Sequence, residues 1–239
     1  MLKYGMTSKE EHYEQLLDLS GAWKVSAVTL DVAAKRVEVE IGYDLSQSMK
    51  CPECDVCCGH YDHREMREWR HLDTMQFETI LRCELPRSNC PEHGVKTLRV
   101  PWAGKGSRFT LLFESFAIDV LRACSSVKAA AELMGLNWHQ VNQIKRRAVA
   151  RGMERRESTP IKQLGIDEKS FRKGHNYVSL LTDLENSRVL DVAEGRNSEA
   201  CGKLFGTLTS EQLKDVEAIA MDMWRAFINA AEKYLPNAD

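Results

Sequence analysis

Two short turns, well separated in the chain, carry the same lettering: Cys51-Pro52-Glu53-Cys54 and Cys90-Pro91-Glu92-His93-Gly94. Zinc takes four thiolate or imidazole ligands in a tetrahedron, and two ligands three apart in a tight turn supply half of it. The doubled turn predicts one closed structural Zn²⁺ site made by Cys51, Cys54, Cys90 and His93. Such a site ties two distant stretches together before any core is considered. Six of the eight cysteines fall between Cys51 and Cys90, so rival ligands are close by: Cys57, Cys58, Cys83, His60 and His63. Met1–Ser20 has no apolar leader, and clustered cysteines then point to metal in a reducing compartment rather than to disulfides.

Between the knuckles, Trp69–Leu72 and Phe77–Cys83 read as a hairpin that joins them. Upstream, residues 1–20 predict a short helix ending near Ser20-Gly21. Trp23–Leu30 and Arg36–Tyr43 read as a further hairpin. There Val37, Val39 and Ile41 alternate with Glu38 and Glu40, the period of a half-exposed strand.

Charge is the next constraint. The net charge is only -2, yet Lys96–His175 holds sixteen Lys or Arg against seven Asp or Glu. A basic middle in a near-neutral chain suggests a segment that meets polyanion; a solvated charged face is the plainer alternative. Pro101–Ser107 reads as a hinge, because its Gly104-Lys105-Gly106-Ser107 lacks the spacing of a phosphate loop. From Arg108 the pattern turns helical, with Phe109, Leu112, Phe113, Phe116, Ile118, Val120 and Leu121 on a first helix. Ser125 or Ser126 caps a second, Val127–Met134, with Ala130 and Ala131 inward. Gly135 makes the turn, and Asn137 opens a third helix carrying Val141 and Ile144. Small residues, a glycine turn and two later branched residues are what a helix-turn-helix requires. On the third helix, Asn137, Trp138, His139, Gln140 and Asn142 stand where a recognition helix meets base edges. Lys145, Arg146, Arg147 and Arg151 suit phosphates. An ordinary helical hairpin with a basic exterior is the competing reading.

Residues 151–160 read as a polar linker. Beyond it come a strand, Leu164–Asp167, and a hairpin, Tyr177–Asp183 with Arg188–Ala193, turning at Glu185-Asn186-Ser187. A helix Ser198–Leu208, a strand Ala218–Asp222 and a helix Trp224–Leu235 complete the order. An antiparallel trio followed by a helix and a parallel strand is the opening of a ribonuclease-H-like fold, in which the fourth strand returns beside the first. Asp167 and Asp222 then become neighbours. Two acids on apolar strands are costly to bury unless a cation lies between them. Divalent ions shared by both would activate water or a 3′-hydroxyl and stabilise the leaving oxygen of a phosphodiester. Taken singly, Asp167 also reads as a strand-end cap and Asp222 as a helix cap. The expected architecture is multidomain, α+β and α/β. It comprises a zinc-binding β-rich domain (1–100), a helix-turn-helix (107–157) and the first part of a ribonuclease-H-like fold (161–239).

Several motifs now stand together: the two knuckles, Tyr61-Asp62-His63-Arg64, Trp69-Arg70-His71-Leu72-Asp73 and Ser107-Arg108-Phe109-Thr110. Gly165-Ile166-Asp167-Glu168-Lys169-Ser170-Phe171 and Met221-Asp222-Met223-Trp224 complete the set. Over its whole length the chain resembles a transposase of bacterial insertion sequences, of the ISL3 group of the DDE class. The resemblance implies that Asp167 and Asp222 are the first two catalytic acids, served by Mg²⁺ or Mn²⁺. It also implies that the knuckle and the helix-turn-helix recognise terminal inverted repeats in double-stranded DNA. The family's third acid, a Glu on a helix after a fifth strand, does not occur before Asp239. Glu168 adjoins the first acid but should face the other way. The expectation is a truncated transposase that binds element ends without completing strand transfer, as a homo-oligomer or paired with an intact copy. A DNA-binding protein or transcriptional regulator without chemistry is the alternative. No apolar run approaches the ~20 residues that span a bilayer, which suggests a cytoplasmic protein.

Overall fold

The computed structural model describes residues 8–172 and 176–239. The first seven residues of the expected N-terminal helix, and Lys173 to His175 at the end of the basic segment, lie outside them. The chain divides into two compact units, Met1–Met153 and Glu154–Asp239.

In the first unit, Ser8 opens α1 (Lys9–Leu16) with a reciprocal capping box to Glu11. Six strands follow: β1 (Trp23–Asp31), β2 (Arg36–Tyr43), β3 (Met49–Lys50), β4 (Cys57–Arg70), β5 (Glu78–Cys90) and β6 (Gly94–Thr97). They form one sheet in the order β1-β2-β5-β4-β3, with β6 also paired to β5. The alternation in β2 decides its facing. Val37, Val39 and Ile41 are buried and pack with Trp69, Leu81, Cys83 and Trp102, while Glu40 is exposed.

Two expectations need correction here. The strands between the knuckles are far longer than Trp69–Leu72 and Phe77–Cys83, because β4 runs back to Cys57 and β5 on to Cys90. Most of β4 is exposed or half-buried on both faces, so backbone pairing holds it and no apolar period marks it. The supposed hinge is also anchored. Trp102 is buried edge-on against Trp23 and Trp69, with ring centroids at 5.0 and 5.6 Å. One indole buries enough area to pin a stretch whose other residues look like linker.

Three helices complete the unit: α2 (Leu111–Ala123), α3 (Val127–Leu133) and α4 (Trp138–Glu154). Thr110 caps α2 and Ser126 caps α3. Gly135, at φ 64°, makes the turn that a residue with a Cβ would strain. Ala130, Val141 and Ile144 are fully buried in the core that this turn closes. α4 takes in Arg151 to Glu154, the start of the stretch read as linker.

The second unit contains β7 (Gln163–Arg172), β8 (Asn176–Asp183), β9 (Arg188–Glu194), α5 (Ser198–Phe205), α6 (Ser210–Asp215), β10 (Ala218–Met221) and α7 (Arg225–Tyr234). The sheet order is β10-β7-β8-β9, with β7, β8 and β9 antiparallel and β10 parallel to β7. Leu164, Ile166, Leu181 and Leu190 form one core with Leu204 and Phe205 of α5 and Phe227 of α7. Burying each of these large side chains is worth roughly 1.5–3 kcal/mol. Val189 and Val192 are exposed on either side of the buried Leu190, where the register of β9 on β8 shifts. The expected helix to Leu208 stops at Phe205. α6 is a separate short helix held by a capping box between Thr209 and Gln212. Among the described residues, no helix is long and apolar enough to cross a membrane.

Candidate functional site

The first knuckle is closed by its own backbone. The Cys51 N–H donates to the Val56 carbonyl and the Asp55 N–H to the Cys51 carbonyl, both at 2.9 Å. In the second, Gly94 at φ 67° lets β5 turn at once into β6. The β4–β5 ladder sets Gly59 opposite Asn89, which brings the knuckles together. The ligand atoms of Cys51, Cys54, Cys90 and His93 lie within 4.8 Å of one another. The Cys54 and Cys90 sulfurs are 3.7 Å apart, and His93 Nδ1 is 3.9 Å from Cys51 Sγ and 3.7 Å from Cys90 Sγ. A zinc tetrahedron with ordinary bond lengths has edges of about 3.5–3.8 Å, so this donor set fits the ion.

The thiols are electrostatically unequal. Backbone N–H groups of His93 and Glu92 aimed at Cys90 bring its thiol down to about 6. Cys54 accepts the Val56 N–H, but burial and the Cys51 and Cys90 sulfurs outweigh that and push it up to about 11. Donors this close compete for protons, and a dication displaces the protons from all of them. None of the rival ligands joins these four within 4.8 Å, although Cys58 lies beside them with its thiol against the Cys90 sulfur. Burial pushes Cys83 up to about 12 inside the sheet core. Cys58 donates to the Val56 carbonyl at 3.2 Å, and Cys57 is exposed. His60 and His63 face each other along β4 at 4.6 Å.

On α4, Trp138, His139, Lys145 and Arg146 are exposed and Asn142 is half-buried. Asn137 and Gln140 are occupied with the helix itself. Asn137 Oδ1 accepts the Gln140 N–H and Gln140 Oε1 accepts the Asn137 N–H, each at 2.9 Å. Arg147 and Arg151 turn inward to Glu114 of α2, a carboxylate only 1% exposed. Arg147 Nη2 lies 2.7 Å from Oε1 and Arg151 Nη1 2.8 Å from Oε2, while the Ser107 hydroxyl donates to Oε1 at 2.8 Å. The sequence does not single out Glu114, one of two acids, with Asp119, in a largely apolar helix. His71 ties the sheet to the same helices, its Nδ1 2.9 Å from the Thr110 hydroxyl that caps α2. Burial, then the neighbouring Arg70, lower this imidazole to about 4.

In the second unit, the parallel register runs from Ala218 opposite Gln163 to Met221 opposite Ile166. Asp222 and Asp167 are the next residues on each chain, so the register brings them side by side. Ile166 and Met221 face the helix-covered core, so strand alternation turns Asp167 to the other face, and Asp222 is the first residue beyond the end of β10. Both are exposed. Asp167 Oδ1 accepts the Glu168 N–H at 2.8 Å, and Asp222 Oδ1 accepts the Met223 N–H at 2.7 Å. Glu168 points to the helix side, 3.7 Å from Arg196. Two carboxylates at adjoining strand positions, both open to solvent, suit an oxygen-preferring divalent cation.

A zinc ribbon followed by a helix-turn-helix is the build of a DNA-binding protein, here joined to a sheet with paired carboxylates. Residues 47–93 match the zinc-finger of the transposases IS204, IS1001, IS1096 and IS1165. Residues 98–149 match the helix-turn-helix domain of transposase family ISL3, and residues 164–239 that family's DDE domain, described as transposase. The transposase for insertion sequence element IS1557 of Mycobacterium tuberculosis is 31% identical over 175 residues, 72% of this chain and 39% of that protein. The transposase for insertion sequence element IS1001 of Bordetella parapertussis is 26% identical over 192 residues, 80% of this chain and 47% of that protein. The chain thus spans less than half the length of these curated relatives. It belongs to the ISL3 family of insertion-sequence transposases.

Proposed function

We propose that this chain binds the terminal inverted repeats of an insertion sequence and carries two acids of a metal-dependent DNA cleavage and strand-transfer site. Its domains in this reading are a ribbon domain (1–100), a helix-turn-helix (107–157) and the opening of a ribonuclease-H-like catalytic domain (161–239). The observation that supports the reading is the register of β10 on β7, which ends with Met221 opposite Ile166, one residue before Asp222 and Asp167. The order β10-β7-β8-β9 supports the ribonuclease-H-like assignment, since the first strand lies between the second and the fourth.

Cys51, Cys54, Cys90 and His93 hold the structural zinc in this reading. Asp167 and Asp222 hold Mg²⁺ or Mn²⁺, which when bound would activate the attacking hydroxyl and stabilise the leaving oxygen. The two carboxylates orient those ions against the scissile phosphate, and the helix-turn-helix sets which phosphate arrives. Two inverted repeats at the ends of one element call for two copies, as a homo-oligomer or with a longer transposase. Cellular DNA as substrate puts the protein in the cytoplasm.

The rival reading is a DNA-binding protein without chemistry. It draws on the bonds by which Asp167 and Asp222 each cap the next backbone N–H. Labelled inverted-repeat DNA incubated with the protein and Mg²⁺ or Mn²⁺ separates the two. Cleavage at the element end that Asp167→Asn abolishes supports the first; a mobility shift without cleavage in either metal leaves only the second.

A further inference from the structure

We propose that Arg196 is a positioning residue for the Asp167–Asp222 pair, a clamp that fixes the spacing of the two segments carrying them. The proposal rests on the reading of that pair given above. β10 meets β7 over four paired positions, Ala218 to Met221, and Asp222 lies beyond the last of them. The ladder therefore does not hold Asp222 by itself, and the turn that contains it needs an anchor.

Trp224 supplies that anchor through Arg196. The Trp224 N–H donates to the Asp222 carbonyl at 2.7 Å, which tightens the turn. Its indole Nε1–H donates to the Arg196 carbonyl at 2.8 Å. The Arg196 guanidinium lies over the Trp224 ring at 4.6 Å and over the Tyr177 ring of β8 at 4.1 Å. Its Nη1 is 3.7 Å from Oε1 of Glu168, the residue after Asp167. One side chain thus touches the neighbour of the first acid and the residue that closes the turn of the second.

The clamp is itself fixed. The Gly195 N–H donates to the Tyr177 carbonyl and the Ser179 hydroxyl to the Gly195 carbonyl, both at 2.8 Å. Gly195 sits at φ 93°, a conformation that a side chain would strain. Glu168 projects from β7 on the face opposite Asp167, so Arg196 works from behind the acids and contacts neither carboxylate. Only a planar guanidinium can lie on aromatic faces and still aim an N–H at a carboxylate; an ammonium cannot do all of this at once.

The test is Mn²⁺ binding to the zinc-loaded full chain, followed by the electron paramagnetic resonance signal of the free ion. Far-UV circular dichroism and melting are run on each variant. Arg196→Gln should weaken Mn²⁺ binding by about tenfold, no more than the loss of a group bonded directly to a metal ligand costs. Arg196→Lys should fall between Gln and wild type, and Asp222→Asn should abolish the binding. A merely structural Arg196 would lower the melting temperature and leave the affinity of the folded protein unchanged. Loss of binding in Asp222→Asn with wild-type affinity in a folded Arg196→Gln overturns the clamp alone. Wild-type affinity in Asp222→Asn overturns the paired-acid reading and the clamp with it. Should Arg196→Gln fail to fold, Arg196→Lys decides on the same terms: reduced affinity supports the clamp and wild-type affinity overturns it.

Discussion

Arg147 of α4 reaches across to Glu114 of α2, placing Nη2 2.7 Å from the Oε1 of a carboxylate that is 1% exposed. Arg151 approaches the other oxygen at 2.8 Å. A buried carboxylate with two guanidinia has been neutralised, and removing one partner leaves the others uncompensated. Glu114→Gln is therefore expected to destabilise the first unit by about 1.5–3 kcal/mol, the cost of lost charge-assisted hydrogen bonds, because the two guanidinia left behind stay partly solvated. Urea unfolding followed by tryptophan fluorescence measures it, and an unchanged midpoint would contradict the assignment.

The same pairing separates the basic residues of α4 into two kinds. Lys145 and Arg146 are exposed and outside every ion pair found among the described residues, whereas Arg147 and Arg151 are half-buried against Glu114. Removing one cation that neutralises a DNA phosphate should flatten the dependence of log K on log salt by about 0.9. Lys145→Gln and Arg146→Gln should each show that change with stability intact. Arg147→Gln and Arg151→Gln should lower stability before they touch the slope. Equal slopes for wild type and Arg146→Gln would remove this helix face from the DNA interface.

The sequence could be read wherever a side-chain pattern had one physical cause. Val37, Val39 and Ile41 alternate because β2 has one wet face and one dry one, and Gly135 with Val141 and Ile144 marks a turn that only small residues permit. The doubled Cys-Pro turn named four side chains that the fold does bring within 4.8 Å. Elsewhere one residue type served two purposes. Asn137 and Gln140 suit base edges, yet they also suit a capping box, and hydrogen bonds close enough to form locally form first. Only the Trp69 end of β4 is legible, because a ladder exposed on both faces needs no apolar period. Trp102 anchors a stretch whose Gly and Lys residues read as hinge. Arg196 could not be found in one dimension at all, since the groups it touches come from β7, β8 and the turn after β10.

His71 gives the first unit a dependence on pH. Burial, then Arg70, hold the imidazole at about 4 in the fold, against 6.5 for the ordinary residue. The folded state thus binds fewer protons between those values, and stability rises with pH across the window. The contribution is complete above about pH 6.5 and is lost as pH falls towards 4. By pH 5 the loss should reach about 2 kcal/mol. Urea midpoints at pH 7 and pH 5 measure it, and His71→Gln should make the two midpoints converge. A wild-type midpoint as high at pH 5 as at pH 7 would mean that the ring is not held neutral against Thr110.

The zinc assignment is tested by a pair of cysteines, Cys51 and Cys58, that the fold keeps near each other, because Lys50 pairs with Cys57 and Met49 with Cys58. Cys51 is fully buried, with its sulfur 3.9 Å from His93 Nδ1, while the Cys58 thiol donates to the Val56 carbonyl. Cys51→Ser should abolish stoichiometric zinc, measured by metal analysis after dialysis against a weak chelator. Cys58→Ser should keep one zinc per chain. Stripping the metal from the wild type should loosen the knuckle ends of β4 and β5 first, because zinc binding there is coupled to folding. Hydrogen exchange would then rise near Gly59 and Asn89, which pair across the ladder, and stay low near Trp69 and Leu81 in the packed part of the sheet. Loss of zinc in Cys58→Ser with retention in Cys51→Ser would transfer the site to the rival thiols and leave the doubled turn without its ion.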